Sequence, residues 1–389
     1  MIEVSVVMPC LNEAETVGEC VARARAALSA HGIDGEVLVA DNGSTDGSQA
    51  IATAAGARVV PVTARGYGNA LMGGIAAAEG KYVVMGDADM SYDFGELPRF
   101  LTKLRNGDEL VQGCRLESGG GTVLPGAMPP LHRFWGNPMF SWMARVWFRA
   151  PIHDVHCGLR GFSTDLYRRL DLTCTGMEFA SEMVIKASLA RARISEVPIT
   201  LHPDGRKGRK PHLRTFRDGW RHLSFYLIYS PRWLFLAPGL ALVLLGLLGY
   251  IVAMPGMQIN GVTFDVSTLL FASLGFIAGY QSIVFAILTK VFAIVEGLLP
   301  PDPRIDRFVR IVELERGLII GVLTGTTGIV LLLIAIWQWR DTGFGPLNYE
   351  VTLRWVIPGV TLAVLGLQTI LASFYLRILQ LGRRHQTRY

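Results

Sequence analysis

Charge is scarce in this sequence: Asp, Glu, Lys and Arg make up 18% of 389 residues, where a soluble domain carries about a quarter. With half the residues hydrophobic and a mean hydropathy of +0.35, this excludes disorder, collagen and coiled coil and puts a sizeable share of the chain in lipid. Cysteine is scarce too. The five (Cys10, Cys20, Cys114, Cys157 and Cys174) fall in the first half, form no CxxC pair and are odd in number. They read as reduced, buried thiols of a cytosolic domain, not as a disulfide framework. No GxxxxGK[ST] occurs, which excludes a P-loop NTPase, and no GxGxxG, which disfavours NAD. Internal repeats and low-complexity tracts are absent. The apolar run Val4–Met8, flanked by Glu3, Asn12 and Glu13, is too short for a signal peptide. Net charge is only +5, and it is local: His202 to His222 holds seven Lys/Arg against two Asp, again +5.

What is present changes character near Pro231. Before it, β-rich runs (Val4–Pro9, Glu36–Ala40, Arg58–Val62, Tyr82–Met85, Glu109–Gly113) alternate with helical patterns (Ala14–Ala30, Thr45–Ala55, Asn69–Glu79). That alternation predicts βαβ units and a largely parallel sheet. After it come four apolar stretches, Leu234–Met254, Thr268–Val295, Gly317–Trp339 and Trp355–Leu376, each near the roughly 20 residues that span a bilayer. The loop Pro255–Ser267 has no Lys or Arg, whereas Pro300–Arg316 carries Arg304, Arg307, Arg310 and Arg316, and the tail adds Arg377, Arg383, Arg384 and Arg388. The positive-inside rule then predicts an inner-membrane protein with both termini and the N-terminal domain cytoplasmic. Lys290 is near enough to the cytoplasmic end of its span to snorkel. Between the domains, Leu213–Tyr229 interleaves Arg214, Arg217 and Arg221 with Phe216, Trp220, Phe225 and Tyr226, the pattern of a helix lying on an anionic leaflet. Leu131–Phe148 has similar aromatic and basic content and reads equally as interfacial or as a core helix with a solvated face. Domain boundaries are expected at 1–210, 211–232 and 233–389.

Four segments carry chemistry. The first strand ends in Met8-Pro9-Cys10-Leu11-Asn12-Glu13, and the second in Asp41-Asn42-Gly43-Ser44-Thr45-Asp46. A Gly-rich turn, Arg65-Gly66-Tyr67-Gly68-Asn69, precedes the fourth strand, which ends in Asp87-Ala88-Asp89. Ligands of open α/β sheets bind at the carboxyl ends of strands, where all four fall. Asp87 and Asp89 alternate along an extended chain, so one can face a metal and the other a neighbouring group. A hard cation held by one or two carboxylates, diphosphate and water is the usual mode for Mg²⁺. Asp41 is placed to accept from a base or ribose.

In these motifs the chain resembles family 2 glycosyltransferases of the GT-A fold, specifically the polyprenyl-phosphate (dolichyl-phosphate) hexose synthase branch; the likeness covers roughly residues 1–230. The resemblance implies an α/β GT-A nucleotide-sugar-binding domain, followed by amphipathic juxtamembrane and four transmembrane helices. It implies donor contacts at Pro9, Asn12, Glu13, Asp41, Gly68, Asp87 and Glu178, and a DxD metal pair Asp87/Asp89 for Mg²⁺ or Mn²⁺, Asp89 the more direct ligand. Acceptor-phosphate contacts would come from Arg115, Arg133, Arg206 and His212. Asp89, Asp154 and Arg160 would serve catalysis, the last in Cys157-Gly158-Leu159-Arg160-Gly161-Phe162. Implied partners are a nucleotide diphosphate sugar (a UDP-sugar ahead of GDP-mannose), polyprenyl phosphate and the bilayer, with no nucleic acid and homo-oligomerisation left open. Two departures stand out: Asn42 replaces the family's second Asp, and Arg209-Lys210-Pro211-His212 replaces its Gly-x-Ser-Lys. The absence of Gln-x-x-Arg-Trp argues for single transfer over polymer growth.

The expected reaction moves one hexose, with inversion, to a lipid phosphate. Such a phosphate, with its second pKa near ~6, is already a nucleophile at neutral pH, so Asp154 reads equally as a base or as a group that orients an arginine or the metal's outer shell. Two rivals remain: transfer to a membrane lipid hydroxyl, and a lipid-carrier translocator with a nucleotide-sugar-sensing domain. The spans read as holding almost no interior charge or polar cluster, which speaks against the translocator. Glu178 and Glu182, at i,i+4, read as sugar-lining or as a solvated helix face. His132, His153, His156 and His202 show no metal-ligand spacing and read as structural.

Overall fold

The computed structural model describes residues 2–206 and 215–386; His212 and the start of the predicted juxtamembrane helix lie outside them. The chain divides into two units, Met1–Tyr226 and Leu227–Tyr389.

In the first unit, Val-rich runs form β1 (Val4–Cys10), β2 (Gly35–Asp41), β3 (Arg58–Pro61), β4 (Tyr82–Met85) and β5 (Leu110–Cys114), followed by β6 (Thr122–Val123), β7 (Arg160–Ser163), β8 (Ile194–Pro198) and β9 (Thr200–Leu201). The main sheet runs β3-β2-β1-β4-β7-β5-β8, with β6 and β9 paired separately. All its pairings are parallel except those of β7, which is antiparallel to both β4 and β5. The sequence reading had no strand there.

Helices α1 (Val17–Ala30), α2 (Ser48–Ala54), α3 (Tyr67–Ala76), α4 (Leu97–Arg105), α5 (Asn137–Phe148), α6 (Thr164–Leu170), α7 (Phe179–Leu189) and α8 (Thr215–Ile228) complete the unit. Val4, Val6 and Met8 of β1 face a core that includes Val17 and Val21 of α1 and Phe100 and Leu104 of α4. Val7 points the other way, to α3, where Gly74 permits the approach: a Cβ there would lie 2.6 Å from Val7 Cγ1 and 2.9 Å from Ala40 Cβ. Burial of both sheet faces explains why β1 and β2 read as apolar runs rather than alternating ones.

Helix α8 packs on this unit up to Tyr226, where the unit ends. Its Asp218, His222, Phe225 and Tyr226 are buried, and the Tyr226 ring packs 5.6 Å from both Phe140 and Phe148 of α5. Its other side stays open, with Phe216 87% and Trp220 66% exposed. Helix α5 and the π-helical turn before it are divided in the same way. Phe140, Met143, Ala144 and Phe148 face inward, while Phe134, Trp135 and Trp142 are exposed. The outer face is aromatic where a solvated helix would be polar.

The second unit holds α9 (Ala237–Ala253), α10 (Val266–Val295), α11 (Pro303–Ile311), α12 (Leu314–Asp341) and α13 (Tyr349–Gln386). Four stretches, Arg232–Ala253, Val266–Val295, Leu314–Asp341 and Tyr349–Gln380, are long and apolar enough to cross a membrane. Glycine lets them meet closely in pairs. Gly239 and Gly246 of α9 lie against the α10 backbone, and Gly321, Gly325 and Gly328 of α12 lie against Gly359, Ala363 and Gly366 of α13. Lys290 pairs with Asp302, and Arg354 donates to the Ala253 carbonyl at 3.0 Å, satisfying the end of α9.

Hydroxyl groups of different spans meet. Tyr250 Oη lies 2.6 Å from Ser273 Oγ and 3.1 Å from Thr361 Oγ1, and Tyr280 Oη lies 2.6 Å from Thr369 Oγ1. The spans therefore do contain polar contacts between helices. Each hydroxyl is isolated in the sequence, and only helix pairing gathers them.

Candidate active site

The loops after β1 and β2 are laced together by side chains. Asn12, held at φ 60°, donates its backbone N–H to Ser44 Oγ at 2.8 Å and accepts from the Thr45 N–H at 2.7 Å. The Glu13 N–H donates to Ser48 Oγ at 2.8 Å. Pro9 lies beyond the last β1 residue paired with β4, where its missing N–H leaves no ladder bond unmade. Asp41 turns into its own loop, accepting from the Gly43 and Ser44 N–H groups and from Gln49 Nε2 at 3.0 Å. Asn42 donates to the Val62 and Ala64 carbonyls and accepts the Gly66 N–H at 2.8 Å. It thus ties β2 to the Gly-rich turn, a bridge that the N–H donors of its amide make and a carboxylate would not.

That turn packs more than it cradles. Gly68 donates its N–H to the Thr175 carbonyl at 3.0 Å, and a Cβ on Gly68 would overlap the Cys174 carbonyl. Glu182 fixes the opposing segment. Fully buried, it accepts from the Thr173 and Cys174 N–H groups at 3.1 and 2.8 Å and pairs with Lys186 at 2.9 Å. Its carboxyl stays below the ordinary range: burial would raise it, but these donors and Lys186 outweigh that. Glu182 is thus neither solvated nor sugar-lining. Glu178, one turn earlier, has its Oε2 buried without a hydrogen-bond partner among the described residues.

Past β4, Asp87 Oδ1 accepts from Tyr67 Oη at 2.9 Å. Burial and then the charge of Asp89 push the Asp87 carboxyl up, against the pull of that hydrogen bond. Asp89 accepts from the Ser91 N–H at 3.0 Å, and its Oδ2 faces Arg206 Nη2 at 3.4 Å. Glu13 completes this side, 3.0 Å from Arg206 Nη1. Burial raises the Glu13 carboxyl to about 7, with Arg206 lowering it and Asp89 and Asp204 adding to the rise.

A second cluster forms where the segment before β7 crosses β5. Asp154, fully buried, accepts three bonds from Arg115: its N–H at 3.0 Å, Nε at 2.7 Å and Nη2 at 2.9 Å. Burial alone would lower the Arg115 pKa, but the Asp154 charge keeps the guanidinium firmly protonated. The segment is strapped from every side. Gln112 donates to the Asp154 and Cys157 carbonyls, Glu196 accepts the His153 and Asp154 N–H groups, and the Gly158 N–H donates to Tyr92 Oη. Gly158 joins the two clusters, since a Cβ there would lie 2.7 Å from Asp87 Oδ2.

The catalytic role expected of Arg160 does not fit its place. It is fully buried and donates to the Ala180 carbonyl at 2.7 Å and the Cys157 carbonyl at 2.6 Å, which makes it a positioning residue. Arg133 lies on the exposed turn before α5, paired with Glu117 at 2.6 Å. Arg206 thus links Glu13 to Asp89, Gly158 brings the Arg115–Asp154 pair near Asp87, and Arg133 stands at the aromatic face. Sequence reasoning missed Tyr67, Tyr92, Gln112 and Glu196. Only Gln112 left a signal, as a polar residue inside an apolar strand.

The family resemblance raises the expectation of a divalent cation. Among the described residues no three His, Cys, Asp or Glu side chains stand close enough to hold one unaided. Asp87 and Asp89 nevertheless fit the mode in which two carboxylates share a cation with diphosphate and water, and Asp89 Oδ2 already faces a positive group.

Comparison with known proteins identifies the family. The model for "Glycosyl transferase family 2" matches residues 5–171, and that for "Glycosyltransferase family 2 C-terminal transmembrane region" matches 287–380. The low-salt glycan biosynthesis hexosyltransferase Agl6 of Haloferax volcanii is 39% identical over 96% of this chain and 88% of its own length. The dolichyl-phosphate hexose transferase of the same organism is 32% identical over 51% of this chain and 82% of its own. Among solved structures, glucosyl-3-phosphoglycerate synthase from Mycobacterium tuberculosis aligns with a TM-score of 0.45 and 23% identity, over 58% of this chain and 78% of that one. With one family model on each unit and a full-length hexosyltransferase relative, the chain belongs to glycosyltransferase family 2, as a multi-pass membrane glycosyltransferase with a GT-A-type catalytic unit.

Proposed function

We propose that the protein moves a single hexose from a nucleotide diphosphate sugar, a UDP-sugar ahead of GDP-mannose, to polyprenyl or dolichyl phosphate, with inversion. The observation that carries this reading is the closure of Arg115 on Asp154. A hydroxyl acceptor needs a free base to take its proton. A phosphate acceptor needs cations instead, and a carboxylate with both oxygens held by one arginine suits orienting that cation better than accepting a proton. The name of the dolichyl-phosphate hexose transferase relative supports the same acceptor.

In this reading Asn12 and Glu13 shape the donor pocket, and Asp87 and Asp89 hold Mg²⁺ or Mn²⁺ on the diphosphate, Asp87 oriented by Tyr67. The cation would stabilise the leaving diphosphate. Arg115 steadies the acceptor phosphate for in-line attack on the anomeric carbon. The aromatic face of α5 and α8 rests in the headgroup layer, which brings Arg133 to the depth of a lipid phosphate. The arginine-rich loop and the catalytic unit lie on the cytoplasmic side.

The test is incubation of purified protein with polyprenyl phosphate and a panel of labelled nucleotide sugars. One donor should yield a lipid-extractable product, lost with EDTA and in Asp89→Asn. Transfer to lipid alcohols but not to lipid phosphates would overturn the reading.

A further inference from the structure

Arg206, expected among the acceptor-phosphate residues, stands against Glu13 and Asp89. Its Nε lies 2.8 and 2.7 Å from the two Asp204 oxygens, its Nη1 3.0 Å from Glu13 Oε1 and its Nη2 3.4 Å from Asp89 Oδ2. Its side chain is 9% exposed. The backbone holds it there: the Gly205 N–H donates to the Asp89 carbonyl at 2.9 Å and the His202 N–H to the Ser91 carbonyl at 3.0 Å. A Cβ on Gly205 would lie 3.2 Å from Met90 Cβ, so the segment lies flat along the turn that carries Asp89. Arg206 also lines, with Asn12, Glu13, Ala14, Glu15 and Asp46, a cavity of about 140 Å³.

The guanidinium therefore occupies a place that two later arrivals need. Asp89 Oδ2 cannot serve a metal ion fully while it faces Arg206, and a nucleotide diphosphate brings new anionic oxygens into the same cavity. A planar fork of donors is suited to moving from carboxylate to phosphate without losing bidentate contact. We infer that Arg206 is the resident counter-cation of the donor site, neutralising Glu13 and Asp89 before the donor binds, then yielding Asp89 to the metal and turning to the diphosphate. Metal alone competes with Arg206, whereas metal with diphosphate gains from it. Arg206 thereby makes metal and nucleotide bind cooperatively. The inference rests on the reading of Asp87 and Asp89 as the metal pair.

The test is a Mn²⁺ titration by electron paramagnetic resonance on the full chain in detergent, with and without UDP, for wild type, Arg206→Gln, Arg206→Lys and Asp89→Asn. Wild type should bind Mn²⁺ weakly alone and more tightly with UDP. Arg206→Gln should bind Mn²⁺ alone about tenfold more tightly and gain little from UDP, a change within the usual range of coupling between two sites. Arg206→Lys, which keeps the charge, should stay near wild type without UDP and report that the segment is intact. If Asp89→Asn abolishes Mn²⁺ binding while Arg206→Gln binds the ion alone no better than wild type, the inference is overturned and the metal reading stands. If Asp89→Asn leaves Mn²⁺ binding unchanged, the metal reading falls and the inference falls with it.

Discussion

Arg115 grips Asp154 from three directions, with its main-chain N–H, its Nε and its Nη2 all donating to one fully buried carboxylate. A buried ion pair of this kind costs most when one partner alone is removed, and an arginine so held cannot wander. The pair ties the end of β5 to the segment before β7, which also passes Asp87 through Gly158.

Asp154→Asn should lower thermal stability, because it leaves the Arg115 charge buried without its counter-ion. In the folded protein it should keep donor binding and raise the acceptor KM about tenfold, consistent with loosening a charge-assisted contact to phosphate. Steady-state kinetics with lipid phosphate varied at saturating donor would check this. A loss confined to kcat and as deep as that of Asp89→Asn would instead make Asp154 a base and favour the hydroxyl acceptor.

Arg133 pairs with Glu117, whose side chain is 76% exposed, so that pair adds little stability. Arg133→Ala should therefore leave thermal stability within about 0.5 kcal/mol of wild type, while acceptor affinity drops roughly tenfold and nucleotide binding holds. Titrating lipid-phosphate dependence and UDP binding on one preparation separates these effects. Lost UDP binding with unchanged acceptor affinity would place Arg133 on the wrong substrate.

The junction of α5, α7 and α8 should weaken in acid. His156 and His222 lie 4.4 Å apart between ring centroids. Burial, followed by the charges of His222, Arg115, Arg160 and His132, holds His156 well below its usual range. Burial lowers His222 too, against the opposing charges of Glu178 and Asp218. Both lowered groups are neutral in the folded and unfolded states above pH ~6.5, so they do not alter stability there. Below that, the unfolded chain takes up protons that the folded chain refuses, at a cost approaching about 1.4 kcal/mol per group per pH unit. Melting in detergent at pH 7.5 and 5.5 should show an acid loss that a His156→Gln/His222→Gln variant shares only in part; an identical loss in that variant would remove these two groups as its source.

The arginine-rich loop Pro300–Arg316 and the loop Pro255–Ser267 should lie on opposite sides of the membrane. Single cysteines placed at Ser267 and at Arg307 in a cysteine-free background should be tagged by an impermeant reagent from outside in the first case only. Outside labelling at position 307 would reverse the topology and the side on which the donor is used.

The first five strands were legible because each holds a short apolar run, buried in β1, β2, β4 and β5 and half-exposed in the edge strand β3, and the acidic and Gly-rich segments stand at their carboxyl ends. Strand β7 was not, since a buried Arg160 breaks the apolar pattern and is satisfied by carbonyls that only the tertiary fold supplies. Asp87, Asp89 and Glu13 were readable as local motifs. Their partners were not: Tyr67 reads as part of a turn, and Arg206 is separated from Glu13 by 193 residues. The hydroxyl contacts of the spans were hidden for the same reason, because pairing between helices leaves no local signature.

The glycine contacts of the second unit have a mechanical meaning. Where Gly239 and Gly279 bring α9 onto α10, and Gly321 and Gly366 bring α12 onto α13, main chain lies on main chain. No rotamer can give way there, so each pair acts as one stiff beam. Between the beams, α10 meets α13 through Tyr280 and Thr369, and the Tyr250 hydroxyl is shared between Ser273 and Thr361. Contacts of that kind are worth only about 0.6 kcal/mol each in a membrane, and a hydroxyl turns easily from one partner to another. The stiffness of the bundle therefore lies along the glycine-lined pairs, and its hydroxyl contacts add specificity between them more than strength.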